Sequence, residues 1–248
     1  SYQLGDPIKV KLTAGRVALW SFNNGLMVAR ARIWYREMTE GPPFPEPLER
    51  PEASKQTLSV RDGLFCTFER DLGTFDTREL LADAALLERD ASTSAKGRYS
   101  LKATNPTSGG SFCFWVANTE IDLNEAPYLS FDYRFPPEAK VNLYLKLDGR
   151  FHALVLSGEE QSEAAARVIG RIADFTADGQ WHHAEFDLLG AIRQAYGGRV
   201  PGEVQSVSLA APLGSYLRCG FGGNTWGTSF YLDNFYLGGY PKGAAAGA

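Results

Sequence analysis

Histidine is scarce in this chain: His152, His182 and His183 are its full complement. The scarcity removes most histidine- and metal-based enzyme readings. There is no His-x-x-x-His pair. The adjacent His182 and His183 point to opposite faces of a strand, so one ion cannot take both. A Gly-x-Ser-x-Gly elbow is absent, and no Cys has a predicted His partner. The glycine-rich stretch Gly222 to Gly227 is not followed by Lys-Ser/Thr, which excludes a phosphate loop. Cysteine is equally sparse. Cys66, Cys113 and Cys219 lack metal-ligand spacing and form no Cys-x-x-Cys. They read as small buried or half-buried thiols in strands, with one disulfide plus one free thiol as the alternative. No run approaches the ~18 consecutive apolar residues of a membrane span. A basic surplus is also missing: the net charge is −4, unlike that of a general nucleic-acid binder. No motif nominates a pair of catalytic carboxylates.

What the chain does hold is glycine and aromatic residues: 26 Gly, 15 Phe, 11 Tyr and 5 Trp, in a composition 44% apolar and 22% charged. That balance is globular, and it suits strands joined by tight turns. The 248 residues allow one large β domain, or a domain of ~150–190 residues with a smaller piece. The chain starts at Ser1 without Met, as expected of a processed or trimmed product.

The organisation follows from periodicity and punctuation. Residues 1–38 read as an N-terminal β-strand segment. Ile8 to Leu12 alternates apolar and basic residues, and Asn23-Asn24-Gly25 is a hairpin signal between Arg16–Phe22 and Leu26–Tyr35. Residues 39–55 form a Pro-rich linker, with five prolines between Pro42 and Pro51. Residues 56–240 form a series of short strands separated by Gly, Asn, Asp and Pro, which predicts an all-β antiparallel sandwich. Two short helices are expected. Thr77 to Glu88 carries the stripe Leu80, Leu81, Ala84 and Leu87, and Leu188 to Tyr196 ends at Gly197-Gly198. Residues 241–248 are an Ala/Gly-rich tail, expected to be flexible.

Several segments in order carry a resemblance. They are Phe68-Glu69, Gly97-Arg98-Tyr99-Ser100-Leu101, Leu129 to Phe135, Gly179-Gln180-Trp181 leading to Asp187-Leu188, and Tyr231-Leu232-Asp233-Asn234. Across residues 64–239 the chain resembles the galactose-binding-like jelly roll of many carbohydrate-binding modules. Gly-Gln-Trp-His-His also resembles laminin-G-like lectin sandwiches, the runner-up. The first resemblance implies a β-sandwich that often binds glycan and often holds one structural Ca²⁺. Carried over by position, the metal residues would be Glu69 and Asp233, with the Lys96 carbonyl. Their oxygens suit Ca²⁺. The alternative is that Asp233 and Asn234 simply bond backbone groups.

Strand alternation assigns faces. Leu129, Phe131, Tyr133 and Phe135 point to the core, as do Val141, Leu143, Leu145 and Leu147, and Val207 and Leu209. If the strands share one sheet, its outer face offers Asp132, Arg134, Asn142, Tyr144, Lys146, His183 and Glu185. Polar groups for hydroxyls beside aromatic rings for C–H faces are what sugar recognition needs. The alternative is a solvated, salt-bridged sheet face, or one buried by another chain. Trp226 could present its ring from a flexible loop, and Trp115 is a further aromatic candidate. Trp181 reads as a packing residue.

The expected function is a non-catalytic carbohydrate-binding β-sandwich of a secreted or cell-surface protein, with a poly- or oligosaccharide as partner. The alternative is a structural subunit of an extracellular filament or surface layer, assembled with homo-oligomeric neighbours through its N-terminal strands. A sandwich-fold polysaccharide lyase or glycosidase stays open because fold does not fix function.

Overall fold

The computed structural model describes residues 63–78, 80, 84–106, 113–158, 165–212 and 224–241. The chain divides into two units, Ser1–Ser54 and Lys55–Ala248, and all described residues belong to the second. The expected N-terminal strands with their Asn23-Asn24-Gly25 hairpin, the Pro-rich linker, Cys219 and the tail 242–248 lie outside the described residues.

Eleven strands and one helix are present among those residues. In chain order they are β1 (Leu64–Cys66), β2 (Leu86–Asp90), β3 (Ser100–Thr104), β4 (Cys113–Ala117), β5 (Tyr128–Arg134) and β6 (Asn142–Leu147). β7 (Arg150–Val155), β8 (Arg167–Arg171), β9 (His182–Asp187), α1 (Leu188–Ala195), β10 (Val204–Ala210) and β11 (Ser229–Gly238) follow. They build two sheets packed as a β-sandwich. The six-stranded sheet runs β2-β3-β11-β5-β9, with β1 paired to β11 as its sixth strand, and the five-stranded sheet runs β4-β10-β6-β7-β8. All pairings are antiparallel except β7 with β8. The long β11 is shared along one edge. Its first half pairs with β3 and its second half with β1.

Alternation explains the core. On β5, Leu129, Phe131 and Tyr133 are buried while Ser130, Asp132 and Arg134 are only half-buried. Leu143, Leu145 and Leu147 of β6 meet them from the other sheet. Aromatic rings fill the gap between the sheets. Phe75 meets Phe235 edge-on at 5.1 Å, Phe131 stacks on Phe235 at 5.8 Å, and Tyr133 stacks on Phe175 at 4.0 Å. Such pairs add to plain area burial.

Helix α1 forms where the sequence places it. Asp187 caps its start, accepting from the Gly190 N–H at 2.8 Å. At its end Gly197 and Gly198 adopt positive φ, and the Gly198 N–H reaches the Arg193 carbonyl at 2.7 Å. That is a Schellman-type stop, which glycine permits at low steric cost. Of the helix expected over 77–88, residues 79 and 81–83 lie outside the described residues, and the described ones form no helix. Asp76 and Ala84 make isolated bridges to β4, and Leu86–Asp90 is strand β2 on the edge of the six-stranded sheet. Pairing with β3 overrides a weak helical stripe, since propensity is a prior that tertiary contacts readily reverse.

Candidate functional site

On the six-stranded sheet, the face turned away from the core carries a row of polar side chains set by register. Asp132 of β5 lies opposite His183 of β9, and Ser130 lies opposite Glu185. His183 Nδ1 is 2.6 Å from Asp132 Oδ1, and its Nε2 is 3.3 Å from Glu185 Oε1. The other Asp132 oxygen accepts from the Asn234 side-chain amide at 2.6 Å. Tyr128 hydrogen-bonds Glu185, and burial followed by that bond pushes the phenol up to about 12. The result is one connected chain of polar groups from Tyr128 to Asn234.

Asn234 reaches this face through an irregularity. The β11–β5 register shifts between Asp233 and Tyr236, and Asn234 has φ 46°. A bulge of this kind re-aims a side chain, and a non-glycine residue in the left-handed region costs local strain.

An aromatic row borders the polar chain. Phe65 of β1 sits beside Tyr236 of β11 at 6.4 Å, and Tyr236 sits 6.4 Å from Tyr128. Tyr128 continues to Tyr240 at 6.0 Å. Phe65 is 68% exposed, an unusual state for a phenylalanine in a strand. Without Tyr240, the two rows line an open depression of about 500 Å³, which also takes in Lys96 and Pro241.

Three of the seven residues expected to bind glycan meet here: Asp132, His183 and Glu185. Arg134 shares their face but is otherwise engaged. It donates to the Gly179 carbonyl at 2.6 Å and to Thr93 Oγ1 at 3.0 Å. Tyr144 and Lys146 belong to β6 of the other sheet, so the single-sheet surface expected from sequence does not exist. Tyr144 is also buried, packed with Ala153, Ala166 and Ala210. Asn142, expected outside, is buried and accepts from the Leu156 N–H. Ser206 and Ser208 are buried too. Trp226 is 55% exposed, in a turn that does not line the depression. The Trp115 indole donates to the Arg78 carbonyl at 3.0 Å. Sequence reasoning missed Phe65, Tyr128, Ser130, Asn234 and Tyr236. For Phe65 and Tyr236 the signal was present, since each alternates with core residues on both sides. Asn234 had none, because the bulge breaks the alternation.

Glu69 and Asp233 do converge, but on a loop. Asp233 is fully buried. Its Oδ2 accepts from the Ala95 and Lys96 N–H groups, each at 3.0 Å, and its Oδ1 from the Asn234 N–H at 2.8 Å. Burial pushes this carboxyl upward, and the three backbone bonds oppose that. Glu69 Oε1 accepts from Arg98 and Tyr99 N–H at 2.8 and 3.0 Å, and these bonds hold its carboxyl below the usual range. Gly97, between the two anchor points, has φ 79° and faces Glu69 so closely that a side chain would collide with it. Arg89 fills the adjacent space, donating to the Phe68 and Glu69 carbonyls at 2.9 and 2.7 Å. Among the described residues no group of three or more His, Cys, Asp or Glu could hold a metal ion. These carboxylates accept N–H bonds beside a resident guanidinium.

No protein-family model and no curated protein matches the chain. Several solved structures do. One is the C-terminal family 22 carbohydrate-binding module of Clostridium thermocellum Xyn10B. It shows 14% identity over 71% of this chain and 92% of that one, with a TM-score of 0.38. The family 30 carbohydrate-binding module of the C. thermocellum cellulosomal cellulase Cel9D-Cel44B shows 13% identity, over 71% and 90% of the chains, at 0.39. The tandem CBM22-1-CBM22-2 of Paenibacillus barcinonensis Xyn10C shows 14%, over 71% and 50%, at 0.44. The chain is thus similar to β-sandwich carbohydrate-binding modules. At such identities their ligands remain properties of those modules.

Proposed function

We propose that this domain is a non-catalytic carbohydrate-binding module, which holds a poly- or oligosaccharide on the polar face of its six-stranded sheet. The reading places it in a secreted or cell-surface protein. The observation that carries it is the depression itself. An exposed ring and two tyrosines stand along one side, and a connected set of carboxylate, imidazole and amide groups stands along the other. Sugar rings offer C–H faces to aromatic side chains and hydroxyls to polar ones, so both surfaces are needed together.

The test is a glycan array followed by Phe65→Ala. Phe65 is mostly exposed, so its loss should leave the melting temperature unchanged while weakening binding at least tenfold. A variant that binds as well as the parent would remove the depression from consideration. The Asp132–His183–Glu185 cluster also calls for an activity assay. Release of reducing ends or unsaturated products would make the domain an enzyme instead.

A further inference from the structure

The depression is lined by two carboxylates, Asp132 and Glu185, beside Lys96 and His183. Asp132 and Glu185 lie on neighbouring strands, and Lys96 is the only lysine or arginine among its described lining residues. Arg134, two residues along β5, is held by Gly179 and Thr93, with its guanidinium 5.8 Å from the Tyr231 ring. Among the described lining residues no arginine fork is therefore offered to a ligand, although that fork is the usual partner of a carboxylate. The two acids differ in availability. Both Asp132 oxygens are engaged, by His183 and Asn234, and its side chain is 21% exposed. The Glu185 side chain is 60% exposed. It is the acceptor most open to an incoming molecule.

A sugar hydroxyl or ammonium donates to a carboxylate, whereas a uronate carboxylate only accepts and is repelled. We propose that this depression takes neutral or amino-bearing glycans and rejects polyuronates, with Glu185 as the discriminating residue. The inference rests on the carbohydrate-binding reading of the same site.

The experiment is titration calorimetry at 0.15 M salt, where the Debye length of about 8 Å confines the comparison to local charge. Probes are neutral xylan and galactan oligosaccharides, chitosan oligosaccharides and oligogalacturonate. The wild type should bind at least one neutral or amino glycan, and oligogalacturonate at least tenfold more weakly. Glu185→Gln should shrink that difference, read as the ratio of the two affinities, severalfold. Glu203→Gln, the same charge change outside the depression, should leave it as it was. Oligogalacturonate binding as tight as the best neutral glycan would overturn the inference while sparing the carbohydrate-binding reading. An unchanged difference in Glu185→Gln would overturn the role of Glu185. Failure of every probe to bind would overturn the reading of the site, and the inference with it.

Discussion

His152 stands on β7, 1% exposed, between two polar neighbours. Its Nδ1 faces the Arg150 carbonyl at 3.1 Å, and its Nε2 faces the Tyr196 hydroxyl at 2.5 Å. A carbonyl only accepts, so Nδ1 carries the hydrogen and Nε2 accepts from Tyr196 in the neutral ring. Burial lowers the pKa of this imidazole, and the nearby Arg167 and Arg150 charges add to that. The unfolded chain therefore binds the proton more readily than the folded one. Stability is fully present above the ordinary histidine range and is lost as pH falls through it. Urea midpoints should drop between about pH 7 and pH 5, and His152→Gln should flatten that part of the profile. Alternation placed most single residues on the right face, Phe131 and Leu145 among them. It failed at Tyr144, because alternation says which residues oppose the core but not whether a second small cluster covers them.

At the scale of elements, α1 shows how local chemistry becomes legible. Asp187 is both the last residue of β9 and the helix cap, and its Oδ1 also accepts from the Tyr240 hydroxyl at 2.7 Å. Asp187→Ala should cost about 1 kcal/mol in urea unfolding, and Asp187→Asn less, because the amide oxygen still caps. An Ala variant as stable as the parent would mean that tertiary packing alone holds the helix. Strand β2 was not legible, for an equally physical reason. It is an edge strand whose residues are mostly exposed or half-buried, so its sequence shows no clean period of two. Its identity comes from pairing Leu87 with Ala103 and Arg89 with Leu101.

At the scale of the molecule, two carboxylates from distant positions in sequence hold one loop. Glu69 and Asp233 engage four N–H groups between Ala95 and Tyr99. These four bonds tie the loop to the sheet. Melting temperatures in Ca²⁺ and in EDTA should coincide. A rise with Ca²⁺ would show that these oxygens turn from N–H donors to a metal.

The sequence by itself determined the sandwich: strand periodicity, turn residues and aromatic content all require two apolar faces to meet, and each of those signals is local. It also determined α1, whose cap and stop lie within a dozen residues. Only the tertiary structure decided which strands share a sheet. It separated Tyr144 and Lys146 from Asp132 and His183, and it brought Phe65, Tyr236 and Asn234 to the depression. Strand order and a bulge depend on pairings between residues far apart in the chain, and no local pattern encodes such pairings. The three histidines follow the same division. Their small number narrowed the chemistry at once, while the fold alone set His183 between two carboxylates and His152 beneath Tyr196.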